Sequence, residues 1–170
     1  MARAVTTYYG EAYAGQGVNG AHPNTMLGPK GSAVETAWAT ALATPREGHS
    51  SFVVIARPNQ PVLPMTLFVN KATIASDRHA SLTWGAAQLG VASGVLDAVA
   101  EGLIDPAEAP NLLLIAAVWV DPKADSDDAI YENNRLAITE SIRRGFTLAV
   151  TDELLELRHH PMNGYYNPRV

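Results

Sequence analysis

DRHASLTWGAAQLGVASGVLDAVAEG, from Asp77 to Gly102, carries apolar side chains nearly all the way round a helical period and sets Gly85, Gly90 and Gly94 among small alanines. Such a helix leaves no polar stripe for solvent, so it must be buried on more than one side. Beyond it, Leu112 to Val120 is a continuous apolar run of the kind found in the middle of a sheet. A buried helix followed by a buried strand points to a mixed α/β domain, and the rest of the chain agrees.

Upstream, Ser32 with Glu35 three residues on forms a capping box. Val34, Trp38, Ala41 and Leu42 then share one face of a first helix, which ends near Thr44-Pro45. Ser51 to Ala56 and Thr66 to Ile74 read as strands, with Pro58, Pro61 and Pro64 marking their connection. At the start of the chain a strand from about Val5 to Tyr13 runs into the turn cluster Gly15-Gln16-Gly17-Val18-Asn19-Gly20. Downstream, Asp105-Pro106 opens a short turn or helical piece. Ile130, Leu136, Ile138 and Ile142 mark a final helix from about Ser126 to Arg144. The order is strand, helix, strand, strand, helix, strand, helix, an α/β fold of the α+β two-layer sandwich type. No repeat or linker divides residues 1–170, so a single domain is expected, with an irregular tail from about residue 147.

Composition narrows the function. With 170 residues, 47% of them hydrophobic, the chain can bury a core without staples. The absence of cysteine excludes thiolate nucleophiles and cysteine-built zinc sites, and is consistent with a reducing cytoplasm. A net charge of -5 with no basic cluster argues against nucleic acid as a partner. No apolar run follows Arg3, so no secretory signal is expected. Ala80 to Ala100 approaches spanning length but holds Gln88 and Asp97, which argues against a membrane segment.

Reactive side chains are few. His22, His49, His79, His159 and His160 show no spacing that places two imidazoles on one metal, and the adjacent His159 and His160 read as a solvated pair rather than a metal site. The loop at Gly15 to Gly20 matches G-x-G-x-x-G, but Pro23 and Pro29 do not suit the helix a dinucleotide needs there, which leaves a flexible turn. Gly28-Pro29-Lys30-Gly31-Ser32 lacks the P-loop order; it could bind an anion at a helix start or only shape a turn. His22 follows the glycine-rich loop and is suited to acid–base work near neutrality, or to a structural role. Lys71 is a substrate contact or a surface lysine, and Gln88, on an apolar helix, needs a polar partner if buried.

Several of these residues stand in longer matching segments: Gly10-Glu11-Ala12, Ala21-His22, Gly28-Pro29-Lys30-Gly31-Ser32, Glu35-Thr36-Ala37, Pro58-Asn59, Asn70-Lys71-Ala72-Thr73-Ile74, Ala87-Gln88-Leu89-Gly90-Val91-Ala92 and Asp97 to Gly102. Through them the chain, from about Gly10 to Gly145, resembles the formaldehyde-activating enzyme family, the tetrahydromethanopterin hydro-lyases. The resemblance implies condensation of formaldehyde with tetrahydromethanopterin, a carrier co-substrate, in a cytoplasmic enzyme that uses no metal. It also implies a ring-shaped homopentamer with the pterin in a cleft between subunits. His22 would be the acid, and Asn24, Val53, Lys71, Thr73 and Gln88 would line the carrier site.

There are departures. The family pattern has an aspartate where Asn24 stands and an aliphatic residue at Pro23. An amide keeps the hydrogen-bonding shape but loses the charge that would hold a cationic histidine or a pterin ammonium. Asn24 is therefore the feature that favours the alternative, a protein of the same fold that binds formaldehyde or a pterin-like ligand without turnover. A third reading is another aldehyde-condensing enzyme using His22 and Lys71. The nearly all-round apolar helix independently favours a homo-oligomer.

Overall fold

A computed structural model describes residues 7–147, 151–163 and 166–168. The chain opens with strand β1 (Tyr8–Glu11), a single turn of 3-10 helix (Gly17–Asn19), strand β2 (Asn24–Pro29) and helix α1 (Ala33–Ala43). Strands β3 (Ser51–Val53), β4 (Ile55–Arg57), β5 (Gln60–Pro61) and β6 (Met65–Asn70) follow. Helix α2 (Asp77–Ser81) passes through a π-helical segment (Leu82–Ala87) into α3 (Gln88–Ala100), and strand β7 (Leu112–Val118) precedes helix α4 (Asp127–Phe146). A short helix α5 (Thr151–Glu156) lies in the tail, where His159 and His160 are both exposed. Residues 5 and 6, where the first strand was expected to begin, lie outside the described residues.

Five strands form the main sheet in the order β1-β2-β7-β6-β3. Only β6 and β7 are parallel, joined by the α2–α3 crossover; the other pairs are antiparallel. β7 is central, as its unbroken apolar run requires. Its alternate residues feed two cores. Leu114, Ala116 and Val118 join Phe68, Val91, Val95, Ile130 and Ile138 under α3 and α4, while Leu113 and Ile115 meet Val34, Ala37 and Trp38 of α1 on the other face. The domain is therefore mixed α/β as expected, but not a two-layer sandwich: α1 covers the second face of the sheet and makes a third layer.

Three elements differ from expectation. β2 has no counterpart in the expected order of elements, yet it pairs along its whole length with β7, with Pro29 tolerated at the last position. The strand expected over Ser51 to Ala56 breaks at buried Val54, whose N–H donates to Thr66 O (2.9 Å), and continues as the β4–β5 hairpin. β6 stops at Asn70, four residues early, because the Asn70 side chain accepts from Ala72 N (3.1 Å) and donates to Ala72 O (2.7 Å), competing with further strand pairing.

The long helix from Asp77 to Ala100 is only partly covered within one chain. Gly90, Val91, Ala92, Gly94, Val95 and Ala98 are buried, but Trp84, Leu89 and Leu96 remain 48%, 46% and 46% exposed. Two of its glycines serve the domain itself rather than a partner. A Cβ added at Gly90 would stand 2.4 Å from Tyr131 O of α4, and one at Gly94 2.5 Å from Arg135 O, so α3 and α4 meet backbone to backbone. Asp97, the charge in the apolar run, pairs with Arg135 through two bonds of 2.6 and 3.1 Å across the same seam. Gly90→Ala should therefore destabilise the domain by about 3 kcal/mol or more, read as a lower urea midpoint at unchanged slope. An unchanged midpoint would show that the seam can open at little cost.

Candidate active site

The site is built where several strand ends meet. β2 begins at Asn24 opposite Ala117, β6 ends at Asn70 opposite Val118, and Lys71 N donates to Val118 O (2.8 Å). Asn24 and Lys71 thus flank the end of β7. The Lys71 ammonium reaches across, donating to Asn24 Oδ1 (2.9 Å) and to His22 O (3.4 Å). His22 sits just before β2, and its Nε2 lies 2.5 Å from Oε1 of Glu11, the last residue of β1. An ionised carboxylate can only accept, so that nitrogen carries the hydrogen and the ring is held in one orientation. The Tyr13 ring stands edge-on to His22, with centroids 6.2 Å apart.

The glycine-rich loop explains why His22 stands there. Two backbone bonds between Ala14 and Ala21 (3.0 and 2.8 Å) close the loop at its base. Asn19 ties its tip to the start of α4: its side chain donates to Asp125 Oδ1 (2.8 Å) and accepts from Asp125 N and Ser126 N, while Asn133 donates to Asn19 O. The expected flexible turn is in fact anchored, and only the single 3-10 turn Gly17–Asn19 starts at these glycines, not the crossover helix a dinucleotide needs. At Gly28 to Ser32 the anion alternative also closes. Gly31 N donates to Glu35 Oε2 (2.7 Å) and Val34 N to Ser32 Oγ (3.2 Å), so the helix start is met by its own side chains.

The remaining expected residues fall close by in sequence or sheet order but not in the same hydrogen-bonded group. Thr73 turns its hydroxyl to His49 Nε2 (2.9 Å). Val53, half-buried on β3, lines a shallow depression with Ser50, Phe52, Ile55, Trp84 and Gln88. Gln88, where the π-helical segment passes into α3, finds its polar partner there, accepting from Ile55 N (3.1 Å). His79 is a buried structural histidine, bonded to Ala75 N and Val120 O. Among the described residues no group of three or more His, Asp or Glu side chains is placed to hold a metal ion, and no helix is long and apolar enough to cross a membrane.

The sequence model of the formaldehyde-activating enzyme family (Fae) matches residues 9–163. The chain belongs to this family. It is 38% identical over 135 residues to a 5,6,7,8-tetrahydromethanopterin hydro-lyase of Methanosarcina barkeri, covering 79% of this chain and 76% of that protein. It is 37% and 36% identical, again over 135 residues, to the bifunctional enzymes Fae/Hps of Methanosarcina mazei and Archaeoglobus fulgidus, and spans only about a third of their length (34% in each).

Against the family pattern, the structure reassigns the departure at position 24. Asn24 offers its amide oxygen to Lys71, so the charge missing relative to an aspartate is missing beside a lysine. His22 has its own carboxylate in Glu11. Desolvation holds the Lys71 ammonium below the ordinary lysine value, and both of its acceptors given above are neutral oxygens. Sequence reasoning gave no role to Glu11, which lay inside a matching segment, or to His49. Either contact becomes visible only once the strands are paired.

Proposed function

We propose that this formaldehyde-activating enzyme condenses formaldehyde with tetrahydromethanopterin to give 5,10-methylene-tetrahydromethanopterin and water. The observation that carries the proposal is the convergence of His22, Glu11, Asn24 and Lys71 at one end of the sheet, in a chain 38% identical to a hydro-lyase named for that carrier. A ring nitrogen of the carrier adds to the formaldehyde carbon, giving a carbinolamine whose hydroxyl is a poor leaving group. His22 protonates that hydroxyl, water departs, and the second nitrogen closes on the iminium carbon with loss of its proton. Glu11 orients the acid. Asn24, Lys71, Thr73, Val53 and Gln88 hold the carrier so that its two nitrogens meet one carbon, and positioning supplies much of the gain over the spontaneous condensation.

Trp84, Leu89 and Leu96, open on a helix that borders the Val53–Gln88 depression, support assembly into a homo-oligomer. A ring-shaped pentamer with intersubunit clefts would bring the separate groups of site residues to one ligand. Light scattering should give several times the monomer mass of 18.1 kDa, and a stable monomer would remove the cleft from the proposal. A cytoplasmic location fits the cysteine-free composition. The deciding experiment is calorimetry with tetrahydromethanopterin followed by an assay of formaldehyde consumption. Saturable binding with acceleration over the uncatalysed mixture supports the enzyme. Binding without acceleration favours the non-catalytic ligand-binding reading, and no binding refutes tetrahydromethanopterin as the carrier.

A further inference from the structure

His49 stands beside Thr73 in an arrangement that determines which way the hydroxyl points its hydrogen. His49 Nδ1 lies 3.2 Å from the carbonyl oxygen of Asn70, and Nε2 lies 2.9 Å from Thr73 Oγ1. A carbonyl oxygen only accepts, so Nδ1 carries the hydrogen; in the neutral ring Nε2 then has only a lone pair to offer. The Thr73 hydroxyl must donate to it. Its hydrogen is thereby committed, and Oγ1 faces solvent with lone pairs alone.

The surroundings make this arrangement rigid. Asn70 ends β6, is buried, and is locked by its two bonds to Ala72. The turn carrying His49 is closed by the Arg46–His49 backbone pair (3.3 and 3.0 Å) and tied to the segment after β6 by Ile74 N donating to Gly48 O (3.2 Å). Gly48 adopts φ 71°, and a Cβ there would stand 2.6 Å from the Thr73 methyl. The methyl is thus packed against the turn, and the threonine rotamer is fixed with its hydroxyl toward His49.

We propose that His49 is a specificity-determining positioning residue that makes Thr73 an obligate hydrogen-bond acceptor, selecting a ligand that presents an N–H or O–H donor at this point. This rests on the reading that Thr73 touches the carrier. A reduced pterin, whose ring edge bears N–H donors, has the required chemistry, whereas a ligand offering only an acceptor there meets lone pair against lone pair.

Two measurements on the intact protein test this separately from the overall function. Nitrogen-15 NMR of the imidazoles at about pH 8.5, well above the reference imidazole pKa of about 6.5, should show a ring hydrogen on Nδ1 of His49, assigned by the signal lost in His49→Phe. A hydrogen on Nε2 instead would overturn the proposal whatever the enzyme does. In carrier kinetics, Thr73→Val removes the acceptor and should raise the tetrahydromethanopterin KM by about five- to tenfold, the scale of one net hydrogen bond, with kcat within about twofold. His49→Phe leaves the hydroxyl able to accept but free to turn its hydrogen toward the ligand, so it should raise KM by a smaller factor, and the double variant should lose no more than Thr73→Val alone. Additive losses would mean that His49 acts elsewhere and would overturn the coupling. Unchanged KM in both single variants, while the wild-type protein turns over, would overturn selection by Thr73 and leave the proposed reaction standing. Melting curves exclude unfolding as the cause, and Thr73→Ser, which keeps the hydroxyl, should retain most carrier affinity.

Discussion

His22→Ala is expected to lower turnover by about 10²- to 10⁴-fold, the usual contribution of a positioned acid, and to leave the fold nearly untouched. The chemical step needs a proton delivered to a hydroxyl leaving group, and His22 is the histidine that the sheet ends bring together with Lys71 and Asn24. The structural cost is small because the His22–Glu11 pair is partly open to water (32% and 57% exposed), and such pairs contribute at most about 1 kcal/mol. Methylene-pterin formation should fall toward the spontaneous rate while the melting curve moves little. Glu11→Gln keeps the length and shape of the partner but removes its charge, and should give a smaller loss in the same assay. Turnover equal to wild type in His22→Ala would remove it from the mechanism.

How much of this was legible before the structure depends on how far each signal reaches along the chain. β7 and the long helix announce themselves through continuous apolar runs, which in β7 follow from burial on both faces of the sheet. The caps of α1 and α4 are local as well: Ser32 and Ser126 accept from Val34 N and Ala129 N just inside their own helices. β2 was hidden because a strand is also made by its neighbours. Asn24 to Pro29 is extended by pairing on both edges, with β1 and β7, which overrides the turn character of Gly28 and Pro29. The same limit governs the site. His22 and Lys71 could be placed by motif register, but the Lys71–Asn24 contact spans 47 residues and the His49–Thr73 contact 24. The amide at position 24 therefore looked like a charge lost to the acid, when its partner is the lysine on the far side of β7.

That partnership makes the second large effect. Lys71→Met keeps an apolar stem of similar length but removes the ammonium that ties the β6 end to Asn24 and to the His22 carbonyl. It should lower kcat/KM by about 10- to 100-fold, since small misplacements of reacting groups cost that much. Asn24→Asp acts in the opposite sense. A carboxylate 2.9 Å from Nζ replaces a neutral bond with a charge-assisted one and raises the lysine pKa that desolvation has lowered. A lowered pKa means the proton is lost at lower pH, so activity that depends on the ammonium declines earlier on the alkaline side. In Asn24→Asp that decline should move to higher pH, and in Lys71→Met this step should be missing from a profile that is low throughout. Measuring kcat/KM against pH in the three proteins decides it. An alkaline decline at the same pH in all three would show that it does not arise from Lys71, and that the amide at position 24 leaves the lysine's charge without consequence for the reaction.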